Sequence, residues 1–161
     1  MGMISVWRLA DDEQIGELLA DPAMIEELLD EEGPDIDLDR AWHGIHFLLT
    51  GTARGAVGPR GYILGGRPVG EINVGYGPAR VLTSVEVAAF DDLLQCIPDE
   101  ELSQRFNPEA MTRAEIYPEI WERAQTGEED VLGYLVSHFD ELKTFVAGAR
   151  RDGMGLITYL A

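Results

Sequence analysis

The spacing of apolar residues predicts two long helices in the second half of the chain. Apolar side chains recur every three or four residues over residues 87–97 and again from about residue 128 to residue 151, which is the pattern of a helix with one buried face. Residues 24–29 show the same spacing over a shorter length. These segments predict a protein rich in amphipathic helices.

Short polar motifs predict where several helices start. Asp11 with Gln14, and Thr83 with Glu86, each form a capping box, in which two side chains satisfy free N–H groups of the first turn. Proline favours the first turn because its missing N–H group has no partner there in any case. Further helix starts are predicted at Asp21-Pro22, Pro98, Pro108 and Pro118.

Four short apolar segments between the helices predict β-strands. They are residues 3–9, 61–65, 79–82 and 156–160. No linker is long enough to divide the chain. Residues 1–161 are therefore expected to form one α+β domain, with a small sheet of about four strands flanked by helices.

Residues 38–51 predict a helix that carries much of the unusual chemistry of the chain. Its inward stripe consists of Leu38, Trp42, Ile45 and Leu49. His43 is rotated by about 100° from Trp42 and is expected nearer the edge of that stripe. His43 and His46 are three residues apart, so they lie on adjoining parts of the helix surface. Gly51 predicts the end of the helix.

The charge of the chain is strongly negative and unevenly spread. Thirty acidic residues against twelve basic ones give a net charge of −18. Residues 1–40 carry −11 and residues 91–161 carry −9, whereas residues 41–90 carry +2. This balance argues against binding to nucleic acid or to an anionic membrane. It suits a basic protein partner, although solvated helix faces collect carboxylates in any case.

Cysteine content and hydropathy indicate a cytoplasmic protein. Cys96 is the only cysteine, which excludes an internal disulfide and fits a reducing compartment. No apolar run approaches the roughly 18 residues that a membrane span needs, and the acidic N-terminal segment does not resemble a signal peptide.

Several segments, in order and spacing, match a known pattern. They are MGMISVWR, LDRAWHGIHFLLTG, GYGPARVLT, AEIYPEIW, YLVSHFDELKTFVAGA and LITYL. On these segments the chain resembles the YfbM-like family of small uncharacterised bacterial proteins over its whole length. The resemblance implies a single α+β domain with a mixed sheet and flanking helices. It implies no activity, because the family is a domain of unknown function.

No motif assigns a reaction or a cofactor. His43 and His46, with Asp39 one turn before His43, are candidate metal ligands, but zinc needs a third protein ligand that the sequence does not supply. The alternative is that one imidazole bonds a backbone carbonyl and the other lies at the rim of a pocket. Motifs of a nucleophilic elbow or a phosphate-binding loop are absent from the sequence. No catalytic residue, metal or other cofactor is therefore predicted.

Aromatic and polar residues from three segments predict a ligand pocket. The candidate binding residues are Trp42, His43, His46, Tyr76, Arg80, Tyr117 and Trp121. One interpretation of the glycine-rich loop of residues 65–80, which begins at Gly65, is that its backbone amides hold a small anion beside Arg67 or Arg80. The alternative is that Gly75 and Gly77 only supply a tight turn around Tyr76.

Two functions from different classes remain open. The sequence favours a non-catalytic accessory or immunity-like protein that engages a basic partner through its acidic helices. The alternative is a small-molecule enzyme or sensor that binds an anionic ligand between the helix carrying Trp42 and His46 and the loop of residues 65–80.

Overall fold

A five-stranded sheet lies at the centre of the computed structural model, which describes residues 2–127 and 129–161. Its strands are β1 (Ser5–Ala10), β2 (Asp35–Asp37), β3 (Arg67–Pro68), β4 (Arg80–Leu82) and β5 (Gly155–Leu160). The strand order is β2-β1-β5-β4-β3, and every neighbouring pair is antiparallel. The α+β class is confirmed. The expectation of a mixed sheet of about four strands is corrected to five antiparallel strands.

Helices cover both faces of this sheet. In chain order they are α1 (Asp12–Ala20), α2 (Met24–Asp30), α3 (Trp42–Thr50), α4 (Ser84–Gln95), α5 (Asp99–Arg105), α6 (Pro108–Arg113), α7 (Trp121–Thr126) and α8 (Val131–Arg151). Because side chains alternate along a strand, Leu156 packs into a large core with α3 to α8, and Ile157 packs into a smaller core with α1 and α2. The molecule thus has three layers.

Side-chain capping accounts for four of the eight described α-helix starts, those of α1, α4, α6 and α8. The two predicted capping boxes are present, with the side chains of Asp11 and Thr83 accepting hydrogen bonds from the backbone of Gln14 and Glu86. The predicted start of the last helix, Glu128, lies outside the described residues. The helix begins at Val131. Asp130 caps it, because its side chain accepts a hydrogen bond from the Gly133 amide at 2.9 Å.

The glycine-rich segment was predicted least well. Residues 61–65 do not form a strand. They begin at the last residue of a short 3-10 helix, Pro59–Gly61, and continue as a turn, in which the Leu64 amide donates to the Gly61 carbonyl at 3.2 Å. The apolar side chains in this segment serve the core and not a sheet, since Ile63 is buried there. Two strands of few residues, β2 and β3, were not predicted.

Two proline-based helix starts are also corrected. Pro118 lies in a turn, and α7 begins only at Trp121. At the start of α2 no side chain caps the helix; Asp21 uses its carbonyl to accept from the Met24 amide at 3.1 Å. Pro98 and Pro108 do open short helices.

Helix α3 is buried nearly all round. The predicted inward stripe is confirmed, since Leu38, Trp42, Ile45 and Leu49 are all buried. Leu38 precedes the helix, which begins at Trp42 and ends with Gly51 in the left-handed conformation. His43 and His46 are also buried, so the buried surface of the helix extends beyond the predicted stripe. A helix without a solvent face acts as a core element that positions its neighbours.

Candidate ligand-binding site

A cavity of about 680 Å³ opens beside the first turn of α3. Its volume lies in the range of roughly 300–1,000 Å³ that small-molecule sites occupy. The floor is formed by sheet residues that share one face, namely Ser5, Arg80, Thr158 and Leu160. Five of the seven predicted binding residues line it, namely Trp42, His43, Tyr76, Arg80 and Tyr117.

One wall of the cavity is a fixed aromatic stack. The Trp42 ring lies 5.9 Å from the Tyr117 ring at 27° and 5.0 Å from the His43 ring at 13°, measured between centroids. The Trp42 indole N–H donates to the Met3 carbonyl at 3.0 Å, and the Tyr117 hydroxyl accepts from the Met3 amide at 2.9 Å. Because these polar atoms are satisfied by the backbone of residue 3, the wall holds its shape without a ligand.

His43 connects three segments around the cavity. Its Nε2 donates to the Ala53 carbonyl at 2.7 Å, and its Nδ1 accepts from the Tyr117 amide at 2.9 Å. An imidazole that donates with one nitrogen and accepts with the other is neutral. Burial, which outweighs the bond to Ala53, lowers the pKa of His43, and the nearby Arg54 charge lowers it further. His43 therefore holds the cavity wall together and has no free nitrogen for proton transfer.

Two arginines supply positive charge to the cavity. Arg54 extends from the loop after α3, and Arg80 projects from β4 with one long contact of 3.5 Å to the Gly66 carbonyl. Neither guanidinium lies within 4.0 Å of a carboxylate in the described part of the chain. Glu115, with a left-handed φ of 55°, is the acidic residue on the lining. Two arginines against one carboxylate leave the site with an excess of positive charge.

Tyr76 stands at the cavity on a closed turn. The Asn73 side chain accepts from the Gly75 amide at 2.9 Å and the Gly77 amide at 3.0 Å, and the Tyr76 amide donates to the Leu160 carbonyl at 2.9 Å. These amides are all engaged, so this loop does not offer them to an anion. Gly75 is required because a Cβ there would fall on the Leu160 carbonyl oxygen, and Gly77 has a φ of 103°. The turn interpretation of these glycines thus accounts for the structure.

The other two predicted binding residues, His46 and Trp121, lie in the core and not on the cavity. Trp121 is fully buried, and its indole N–H donates to the Ile116 carbonyl at 2.7 Å. His46 is also fully buried, and neither of its ring nitrogens has a hydrogen-bond partner among the described residues. Burial, with a smaller contribution from His43, lowers the pKa of His46 to about 4. Their assignment to the pocket lining is therefore corrected.

A metal site at the histidines gains no support from the geometry. Asp39, the candidate third ligand, instead accepts a hydrogen bond from the Tyr134 hydroxyl at 2.7 Å. Within residues 2–127 and 129–161, no three His, Cys, Asp or Glu side chains come together in a way that would hold an ion.

Comparison with known proteins identifies the family. A family model described as "Domain of unknown function (DUF1877)" matches residues 1–159. The chain belongs to the DUF1877 family. The resemblance inferred from the sequence is confirmed, and the DUF1877 assignment by itself carries no activity.

A solved structure shows the same fold. The crystal structure of YfbM from Escherichia coli, a protein of unknown function, superposes with a TM-score of 0.78 over 99% of this chain and 100% of that one, at 23% sequence identity. At this identity the likeness establishes the fold alone. No curated protein matches the chain. Among the described residues of this DUF1877 protein, no helix is long and apolar enough to cross a membrane.

Several cavity residues of this DUF1877 protein were missed by sequence reasoning. Arg54 and Glu115 line the cavity from loops, and Tyr159 lines it from the last strand. A signal for Arg54 was present, since it belongs to the only segment of the chain with net positive charge. Glu115 reaches the cavity through tertiary packing, for which the sequence pattern offers no cue, and Tyr159 lies on β5 between two residues of the cavity floor, Thr158 and Leu160.

Proposed function

We propose that this DUF1877 protein binds a small anionic molecule in the cavity beside α3. The observation that carries the proposal is that Arg54 and Arg80 both line a preformed cavity, and that neither has a described carboxylate within 4.0 Å. Guanidinium groups suit carboxylates and phosphates because their planar N–H donors match two oxygens at once. An anion in this cavity would give both arginines a partner.

The charge distribution supports an anion at this cavity. The protein carries −18 overall, so an anion approaching most of its surface is repelled. The arginines of the cavity belong to residues 41–90, whose net charge is +2. Selectivity for this site therefore follows from the contrast between a local positive charge and an acidic surrounding.

The same geometry favours binding over catalysis. A histidine acts as a general base only through a ring nitrogen that is free to take a proton, and both nitrogens of His43 are already engaged. The Tyr117 hydroxyl accepts from the Met3 amide and belongs to the fixed wall. A ligand-binding protein, such as a sensor or an accessory factor, requires only the cavity and its charges.

A thermal-shift screen tests this proposal. Phosphorylated and carboxylated metabolites are added to the protein, and a binder present at 100 times its Kd should stabilise it by ~2.7 kcal/mol. Arg80→Ala should abolish the shift because it removes one of the two cations. Arg113→Ala should preserve it, since Arg113 is exposed on α6 and pairs only with Glu109.

The screen has two outcomes that oppose the proposal. One is the absence of a stabilising anion in the whole panel. The other is a stabilising anion whose shift is equal in wild type, Arg80→Ala and Arg113→Ala, because binding would then lie outside the cavity.

A second function, recognition of a basic protein, is favoured by the acidic N-terminal segment. Twelve of its carboxylates are exposed on α1, α2 and the turns up to β2, at residues 11, 12, 13, 17, 21, 26, 27, 30, 31, 32, 35 and 37. None of the twelve forms an ion pair within the described residues. A basic partner would neutralise this surface, and its binding would weaken with added salt.

The partner hypothesis is tested by affinity capture at low and high ionic strength. A variant with Glu26, Glu27, Glu31 and Glu32 changed to Gln should lose a salt-sensitive partner, whereas Glu109→Gln with Glu119→Gln should retain it. Equal recovery by both variants, or no salt-sensitive partner in several growth conditions, would remove this function.

We also propose that the protein works in the cytoplasm. The support is that its only thiol, Cys96, is exposed and unpaired among the described residues, which suits a reducing compartment. Cell fractionation with an antibody to the native protein tests this, and recovery outside the cytoplasmic fraction would contradict it.

A further inference from the structure

We propose that the ligand carries a planar aromatic ring as well as an anionic group, and that the ring stacks on Tyr76. The inference rests on the proposed function, since it names the chemical class that the same cavity takes. It comes from one unusual feature, a tyrosine whose backbone is held by hydrogen bonds but whose ring has no aromatic partner among the described residues.

Tyr76 combines a fixed backbone with an exposed ring. Its side chain is 52% exposed, although its amide is bonded to β5 and the glycines on either side are tied to Asn73. An exposed aromatic on a mobile loop would lose conformational entropy when it bound a ring. Here the turn has already fixed the backbone, so stacking costs less entropy.

The other aromatic groups of the cavity are already committed. The Trp42 ring stacks with both His43 and Tyr117. Tyr159 packs against the smaller core that α1 and α2 share with the sheet. In the described part of the chain Tyr76 forms no aromatic pair, so its face remains for a ligand.

The ring site and the charge site belong to one cavity. Tyr76 and Arg80 both line it, four residues apart, on the turn and on the strand that follows. A molecule with a ring joined to a phosphate or carboxylate would satisfy both features at once. Stacking of a ring on an exposed aromatic strengthens binding by about ten- to hundredfold, which is enough to separate ring-bearing anions from ringless ones.

Calorimetric titration with matched compounds tests the inference. The probes are 5′-AMP with ribose 5-phosphate as its ringless counterpart, and indole-3-acetate with acetate as its ringless counterpart. Adenosine supplies a ring without an anion. We expect at least one ring-bearing anion to bind ten times or more tighter than its counterpart, and adenosine to bind more weakly than 5′-AMP.

Variants of Tyr76 assign the preference to this side chain. Tyr76→Ala should reduce the preference for the ring-bearing anion to less than threefold, whereas Tyr76→Phe keeps the ring and should retain it. Val85→Ala is the matched control, because Val85 is also an exposed apolar residue but lies on α4 away from the cavity lining.

The outcomes separate this inference from the proposed function. If ringless anions bind as tightly as ring-bearing ones and Arg80→Ala abolishes both, the anion site stands and the ring site is rejected. If the ring preference survives in Tyr76→Ala, stacking on Tyr76 is rejected. If none of the anions binds, both the inference and the anion site fail.

Discussion

At the scale of single residues, the cavity wall depends on Trp42 and His43. Trp42 is 5% exposed and is bonded to Met3, and His43 joins Ala53 to Tyr117 through both ring nitrogens. The sequence correctly placed Trp42 in the inward stripe. The alternative of an imidazole bonded to a backbone carbonyl also describes His43, but the sequence did not identify its partners, because they lie 10 and 74 positions away along the chain.

Substitution of these two residues should destabilise the protein by similar amounts. Trp42→Ala is expected to cost about 3–5 kcal/mol of unfolding free energy, since it removes a large buried ring. His43→Ala is expected to cost about 2–4 kcal/mol, because it leaves the Ala53 carbonyl and the Tyr117 amide without partners. Urea unfolding midpoints measure both. A cost below about 1.5 kcal/mol for His43→Ala would mean that these bonds contribute little.

The burial of His46 predicts that the stability of the protein depends on pH. In the unfolded chain its imidazole takes up a proton near pH 6.5, whereas burial keeps it neutral in the folded protein down to about pH 4. Between these values the unfolded state binds more protons, so the free energy of unfolding falls as the pH falls from 6.5 to 4. The full shift corresponds to about 3 kcal/mol. The lowered pKa of His43 acts in the same direction.

Urea unfolding at pH 7, 5.5 and 4 measures this dependence. His46→Leu removes the titrating ring without removing a described hydrogen bond, so it should lose clearly less stability than wild type over this range. His138→Gln, on α8, should lose as much as wild type. An equal loss in wild type and His46→Leu would show that His46 does not control the acid sensitivity.

At the scale of elements, the close packing of α3 depends on Gly44. A Cβ at this position would lie 2.7 Å from Cη2 of Trp121 and 2.8 Å from Cδ2 of Leu135. Both are buried core side chains with little room to move. The glycine thus allows α3 to approach α7 and α8, and this approach sets the position of the cavity wall.

Alanine substitution at two helical glycines separates packing from helix propensity. Gly44→Ala should destabilise by about 1–3 kcal/mol through overpacking, despite the gain in helix propensity. Gly16→Ala, on the exposed side of α1 with no atom within 4 Å of the added Cβ, should stabilise by about 0.5–1 kcal/mol. Thermal unfolding measures both, and a stabilising Gly44→Ala would contradict the packing described here.

Elements with local signals were predictable from the sequence. The starts of α1 and α4 follow from side chains three residues apart that bond each other's backbone, so no tertiary information is needed. The stripe of α8 follows from its periodic apolar residues, all of which are buried. The last strand, β5, was recognisable because Leu156 to Leu160 has the composition of a buried strand.

Elements defined by distant contacts were not predictable. β2 has the sequence Asp-Ile-Asp and becomes a strand only by pairing with β1, where Ile36 lies opposite Trp7. The apolar residues 61–65 had the composition of a strand, but they form a turn that places Ile63 in the core. The cavity was predicted only in part for the same reason. Five of the seven predicted residues line it, but His46 and Trp121 lie in the core.

At the scale of the whole molecule, the acidic N-terminal helices and the cavity lie on opposite faces of the sheet. Helices α1 and α2, with their exposed carboxylates, pack on one face through Ile15, Leu18 and Ile25. The cavity is built on the other face, where Ser5, Arg80 and Thr158 lie beside one another. Partner binding through the acidic helices and ligand binding in the cavity are therefore separable by mutation.

The most direct test of the anion site is NMR of uniformly ¹⁵N-labelled protein titrated with inorganic phosphate and, separately, with 5′-AMP. We predict concentration-dependent shifts at the Trp42 indole N–H and at the amides of Tyr76 and Arg80, with α1 and α2 unaffected. Shifts confined to α1 and α2, or no shifts at the cavity residues with either compound, would contradict the assignment of this cavity as an anion-binding site.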